Sequence, residues 1–105
     1  MKLLKFCNIK NIYETRTAAS LGIPLLGYHL ISASDFARLN DIKQCVRELR
    51  SYYPISKAIL VTKERDIEKV ISIVNELEFD GVQLHYNDSN IQASTLKGSL
   101  VRTLL

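Results

Sequence analysis

The stretch LLKFCNIK at residues 3–10 decides the fold that this sequence predicts. It is a short apolar run that ends on Cys7 and then turns polar, which is typical of a buried β-strand followed by a turn. The same pattern, an apolar run followed by a helix signal, recurs downstream. Since strands that alternate with helices form parallel sheets, we expect Cys7 at the carboxyl end of the first strand, where such proteins collect ligands and catalytic groups. Its thiol is therefore the first candidate functional group.

The spacing of apolar residues predicts the other elements. Asn11 and Glu14 form a capping-box variant that opens the first helix, and Gly22 ends it. Further strands are predicted at residues 23–28, 57–62 and 81–85, and residues 29–40 are expected to form a polar loop. Helices are predicted from about residue 40, where Cys45 packs as a small apolar residue in an amphipathic stripe, from Asp66, and over residues 90–105.

The chain therefore reads as an α/β protein: one parallel (β/α) domain over residues 1–105, with about four βα units. The strands are expected to be buried on both faces, as continuous apolar runs indicate. An unrelated small α/β domain of the doubly wound type is the alternative to a barrel-type unit.

Composition narrows the class of function. The chain has 105 residues, 47 % of them apolar and 24 % charged, and a net charge of +3 spread without like-sign blocks. No nucleic-acid-binding motif accompanies that charge, and no apolar run approaches the roughly 20 residues that cross a bilayer. Without a signal-peptide pattern, and with only two cysteines, we expect a cytoplasmic protein. Neither His29 nor His85 has ligands at metal spacing, so no metal is expected.

Three segments together resemble the phosphoribosylanthranilate isomerase family of tryptophan biosynthesis. They are FCNIK at residues 6–10 before a capped helix, LGY at 26–28, and FDGVQLH at 79–85 after a long amphipathic helix. The resemblance implies a (β/α)8 barrel that opens a phosphoribosylamine sugar and isomerises it to the amino-ketose, an Amadori rearrangement without a cofactor. It implies Cys7 as the general base, Gln83 and His85 as residues that line the substrate pocket, and Arg38 as the nearest candidate to hold the substrate carboxylate.

The sequence also departs from that family. Asn8 and Tyr86 stand where the family has glycine, and a barrel of this type needs about 200 residues or more. The later strands, which in the family carry the acidic aspartate and the phosphate loops, are missing from these residues. Because each acid or base group contributes about 10² to 10⁴-fold to the rate, we expect little activity from this chain alone.

Two hypotheses of different classes follow. In the first, the chain is the amino-terminal part of an isomerase that binds a phosphoribosyl substrate. In the second, it is a non-catalytic half-barrel. Its open sheet edges would then pair with a second copy, a complementing half-barrel or another protein partner.

Overall fold

A computed structural model describes residues 4–84 of the chain. Over that range strands and helices alternate, apart from one extra short helix after the second strand. The elements are β1 (Lys5–Phe6), α1 (Ile12–Ser20), β2 (Leu25–Leu30), α2 (Ala33–Phe36), α3 (Leu39–Tyr52), β3 (Lys57–Thr62), α4 (Ile67–Leu77) and β4 (Gly81–Leu84). The helix predicted over residues 90–105, together with His85 and Tyr86, lies outside the described residues.

The four strands form one parallel sheet in the order β1-β2-β3-β4. Alternate residues of β2, β3 and β4 share a hydrophobic core with α1, α3 and α4, so the helices cover one face of the sheet. A doubly wound sheet instead reverses its strand order and carries helices on both faces. The observed order therefore rules out the doubly wound alternative and confirms a parallel α/β unit consistent with half of a (β/α)8 barrel.

The two long helices confirm their predicted apolar stripes. On both helices the buried positions follow the helical period of three to four residues, and on α4 Ile67 and Ile71 are partly buried beside them. These buried residues are Ile42, Cys45, Val46, Leu49, Val70, Val74 and Leu77. Burial raises the pKa of the Cys45 thiol, in keeping with its packing as a small apolar side chain.

The caps of α1 and α4 agree with the sequence as well. The Asn11 side chain accepts a hydrogen bond from Glu14 N at 2.9 Å, and the Glu14 carboxylate accepts one from Lys10 N at 2.8 Å. Gly22 has φ +79° just after α1, a conformation that glycine adopts without steric cost. At the start of α4 the Asp66 side chain accepts from the first turn, as predicted.

The first strand was predicted to be buried, and this prediction is wrong. It has only two residues, and Leu4, Phe6 and Cys7 are exposed. Within the described chain β1 has a strand neighbour only on its β2 side, so apolar residues there lack the cover that β2 and β3 receive. The strand ends early because Asn8 has φ +58°, which is incompatible with an extended ladder.

The predicted polar loop over residues 29–40 is also corrected. Strand β2 continues to Leu30, and the short helix α2 follows before α3 begins at Leu39. A capping box starts α2: the Ser32 hydroxyl accepts from Asp35 N, and the Asp35 carboxylate accepts from Ser32 N at 3.1 Å. A helix of four residues is too short to leave a periodic apolar pattern in the sequence.

An ion pair joins α3, β3 and β4 at the amino end of the sheet. Arg50 Nη1 donates to Asp80 Oδ1 at 2.9 Å, and Ala58 N donates to Asp80 Oδ2 at 2.9 Å. Backbone pairing between Asp80 N and Ala58 O, at 2.8 Å, completes the contact. The aspartate therefore fixes how β4 enters the sheet beside β3, at the end opposite Cys7.

Candidate functional site

The candidate site lies at the carboxyl ends of the strands. Cys7 follows β1 directly, its residue is exposed, and it lines an open groove of about 640 Å³ between the β1 segment and α1. Tyr13 and Glu14 of α1 form part of the opposite wall of this groove. The thiol is thus accessible to a reactant, which is the first requirement for a nucleophile or a base.

The backbone conformation of Asn8 places the thiol at the rim. Asn8 adopts the left-handed conformation with φ +58°, which interrupts the extended strand. Ile9 then donates its N–H to Gly27 O at 3.0 Å and buries its side chain in the core. Asparagine tolerates positive φ better than most residues with a Cβ. Asn8 therefore provides the backbone shape for which a glycine would be chosen, although it adds a side chain beside Cys7.

Lys5 is a residue that the sequence reasoning missed. A Cβ added at Gly27 would lie 3.1 Å from Lys5 Cε and 3.4 Å from Cys7 Cα. The Lys5 side chain therefore lies over the hydrogen-only position of Gly27 on β2, near the Cys7 backbone. The period of two in a strand would have revealed it, since residues two apart point to the same face.

Gln83 lies on β4, in register with Val61 of β3. Its Oε1 atom is buried and has no hydrogen-bond partner among residues 4–84. A buried acceptor without a donor is costly, so a ligand that donates to this oxygen would be favoured. Strands β2 and β3 separate β4 from β1, which corresponds to about 14 Å measured along the sheet. Cys7 and Gln83 are therefore not brought into contact, and one ligand would have to span the distance between them.

Arg38 lies between α2 and α3, in the connection that follows the carboxyl end of β2. Its Nη2 donates to Asp35 Oδ1 at 3.0 Å, and its Nε has no partner within the described part of the chain. Burial opposes ionisation of Asp35, but the N–H groups of Ser32 and Ile31 and the charge of Arg38 outweigh it and lower the pKa of Asp35. Asp35 thus stays ionised at neutral pH and cannot serve as a general acid there.

Residues 4–84 contain no group of three or more His, Cys, Asp and Glu side chains arranged to hold a metal ion. None of the helices described is both long and apolar enough to cross a membrane. His29 is partly buried on the same sheet face as Gln83, and His85 lies beyond the described range.

These features define a class: a parallel, sequentially ordered βα unit with an accessible thiol at the carboxyl end of its first strand. The chain is similar to N-(5'-phosphoribosyl)anthranilate isomerase of Methanothermobacter marburgensis, with 30% identity over 83 residues. The aligned part is 78% of this chain and 35% of the relative, so the chain spans about a third of the length of that protein. This match gives partial support to the isomerase family. No family model matches the chain. No solved structure gives a significant match.

Proposed function

We propose that this chain supplies the amino-terminal part of a phosphoribosylanthranilate isomerase active site, with Cys7 as the general base. One observation carries the proposal: an exposed thiol ends the first strand of a barrel-type unit whose sequence is similar to a protein of that name. The family's setting in tryptophan biosynthesis implies a cytoplasmic protein that acts on a small phosphoribosyl substrate.

The chemistry asks two things of the protein. An acid must help to open the sugar ring, and a base must remove a proton from the carbon next to the resulting imine, so that an enolamine forms and tautomerises to the ketone. Cys7 can act as that base only in its thiolate form, and the substrate must be able to reach its sulfur. The exposure of Cys7 at the end of the first strand supports that requirement. Proton transfers of this kind need no cofactor.

Candidate binding groups for a phosphoribosyl anthranilate come from one face of the sheet and from the connection after β2. Lys5 offers a cation beside the Cys7 backbone, suited to a phosphate or carboxylate. Gln83 offers an unpaired buried acceptor to a sugar hydroxyl. Arg38 has one unpaired N–H for a carboxylate, since Asp35 uses another part of its guanidinium group. His85 completes the proposed pocket by resemblance.

Turnover in this proposal depends on a second polypeptide segment that provides the acid. Asp35 is excluded from that role by its lowered pKa. Because a missing acid costs about 10² to 10⁴-fold, we expect this chain alone to be too slow to sustain growth. Together with the part of the methanogen isomerase that the match leaves uncovered, it should form a working site.

Growth without tryptophan of a strain that lacks the isomerase tests the proposal. We expect no growth with this chain alone, growth when it is produced with the uncovered part of the methanogen protein, and loss of that growth on Cys7→Ala. Cys45→Ala is the matched control, because Cys45 is the other thiol, is buried, and does not line the groove. Equal growth with Cys7→Ala would refute the assignment of the base. Circular dichroism of both variants separates loss of chemistry from loss of folding.

A further inference from the structure

Three large apolar side chains are exposed at the amino end of the sheet, opposite the end that carries Cys7. Leu21 is 68% exposed, Tyr52 74% and Ile55 76%. Leu21 follows α1, Tyr52 is the last residue of α3, and Ile55 lies just before β3. We call these three residues the amino-end patch. They belong neither to the groove nor to the two edge strands, so the proposed active site does not account for their exposure.

The two helices that carry the patch are tied together by an ion pair. Arg16 of α1 donates from Nη2 to Glu48 Oε1 of α3 at 3.0 Å. Both helices run antiparallel to the strands, and Leu21 lies five residues beyond Arg16. Tyr52 lies four residues beyond Glu48. With a rise of about 1.5 Å per residue, both apolar side chains therefore lie at a similar level, roughly 6–8 Å past the ion pair.

Hydrogen bonds between two connections fix Ile55 beside the helix ends. Ser56 Oγ donates to Ile23 O at 2.7 Å, and Lys57 N donates to Pro24 O, also at 2.7 Å. Both bonds join the α3–β3 connection to the α1–β2 connection. The patch is therefore continuous, and its shape is set before any partner binds. A preorganised surface loses less conformational entropy on binding than a mobile one.

An unpaired cation lies on each side of the patch. Arg47 lines a depression that also includes Tyr52, between α1 and α3. Lys57 lines a second depression at the start of β3, two residues after Ile55. Both side chains are exposed, and neither has an ion-pair or hydrogen-bond partner within residues 4–84. An apolar patch with a polar rim of this kind is typical of a protein interaction site.

The carboxylates in the two depressions are already used within the chain. Glu48 in the first depression pairs with Arg16, and Asp80 in the second pairs with Arg50. Glu78, on the α4–β4 connection, lines neither depression. The unpaired charge next to the patch is therefore positive, and complementary charge favours an acidic partner. An apolar segment with carboxylates on both sides matches this surface.

We propose that the amino-end patch, together with Arg47 and Lys57, is a docking surface for an acidic, apolar peptide segment of another protein. The apolar side chains of that segment cover the patch, and its carboxylates pair with the two cations. The proposal is independent of the proposed catalytic function, because the surface lies at the end of the sheet opposite the exposed thiol.

Selection of random peptides displayed on phage, with the full chain as target, tests the proposal. We expect the selected peptides to be enriched in Asp and Glu next to aliphatic or aromatic residues. In fluorescence anisotropy, Lys57→Glu and Ile55→Ser should each weaken binding of a selected peptide by about tenfold or more. Lys69→Glu is the matched control, because it makes the same charge change at an exposed residue in the first turn of α4, at the opposite end of the sheet. Its affinity should stay within about twofold of the parent chain.

Several outcomes would overturn the proposal. Failure to enrich any peptide, or enrichment of basic peptides, would show that the surface does not bind acidic segments. Unchanged affinity of folded Lys57→Glu or Ile55→Ser would place the peptide elsewhere on the chain. A mass above 11.9 kDa in sedimentation equilibrium that returns to this value in Ile55→Ser would mean that a second copy covers the patch instead. Circular dichroism verifies that each variant is folded.

Discussion

A buried hydrogen bond between α1 and β2 permits a sharp test of how the core is held together. Thr15 Oγ1 and Tyr28 Oη lie 2.9 Å apart, and both residues are fully buried. Burial raises the pKa of Tyr28 well above its usual value, so the bond joins two neutral hydroxyls throughout the accessible pH range.

The expected magnitudes follow from which group is left unpaired. Thr15→Val keeps the side-chain shape but strands the Tyr28 hydroxyl, which should lower the free energy of unfolding by about 1–3 kcal/mol. Tyr28→Phe should cost less, about 0.5–1.5 kcal/mol, because a threonine hydroxyl within a helix can bond a carbonyl of the preceding turn. The double variant replaces both hydroxyls by apolar groups, so it should be more stable than Thr15→Val alone and close to the parent chain.

Urea unfolding followed by circular dichroism measures all four proteins at one pH and temperature. A hydrogen bond shared by the two hydroxyls requires non-additive effects, with the double variant about 1.5–4.5 kcal/mol more stable than the sum of the two single losses predicts. Additive losses would refute it, because they would mean that the two hydroxyls stabilise the core separately. Tyr28→Phe keeps the aromatic ring at its 6.2 Å centroid distance from Phe79, so a lost ring contact cannot explain its effect.

Three further predictions concern single residues. Glu78 has φ +62° at the end of α4, so Glu78→Gly should stabilise the protein by about 0.5–1 kcal/mol, whereas Glu76→Gly, inside the same helix, should destabilise it by about 1 kcal/mol in urea unfolding. At Asn8, with φ +58°, Asn8→Gly should leave the urea midpoint unchanged or raise it, and Asn8→Val should cost about 1–2 kcal/mol; equal effects would contradict the left-handed turn. The pKa of Asp35 is lowered from 3.8 in the folded protein, so the ionised carboxylate stabilises the fold. This contribution to the free energy of unfolding is fully present above pH 3.8 and is lost as the pH falls through the folded-state pKa. The stability gap between parent and Asp35→Asn, about 1–2 kcal/mol at pH 7, should narrow below pH 4; a constant gap would refute the coupling.

The long elements could be predicted because their pattern is local. Strand β3 has its predicted bounds, and the apolar stripes of α3 and α4 are repeated often enough to define a helix. The short helix α2 was missed although Ser32 and Asp35 stand at capping-box spacing, because no apolar period follows them. A search for that spacing alone would have found it.

The candidate site was less predictable, because its geometry depends on neighbours in space. The apolar residues of the first strand predict that it is buried. In the described sheet, however, β1 lies at an edge, and this position explains why it is exposed. To predict the ion pair of Arg38 with Asp35, one must know that α2 forms. To predict the unpaired oxygen of Gln83, one must know where the surrounding side chains lie. The position of Cys7 at the end of the first strand could be predicted because a strand end can be read from the sequence alone.

The ion pair of Asp80 with Arg50 bears on whether the FDGVQLH segment can serve as a marker of catalytic function. Asp80 accepts hydrogen bonds from Ala58 N and Arg50 at the amino end of the sheet, so this acidic residue of the segment stabilises the fold. Phe79 likewise packs against the buried Tyr28 ring. Selection for a folded βα unit is enough to retain both residues, with or without catalysis. A sequence search that uses this segment as its signature will therefore find chains that share the architecture, and it will not separate working enzymes from descendants that have lost the reaction.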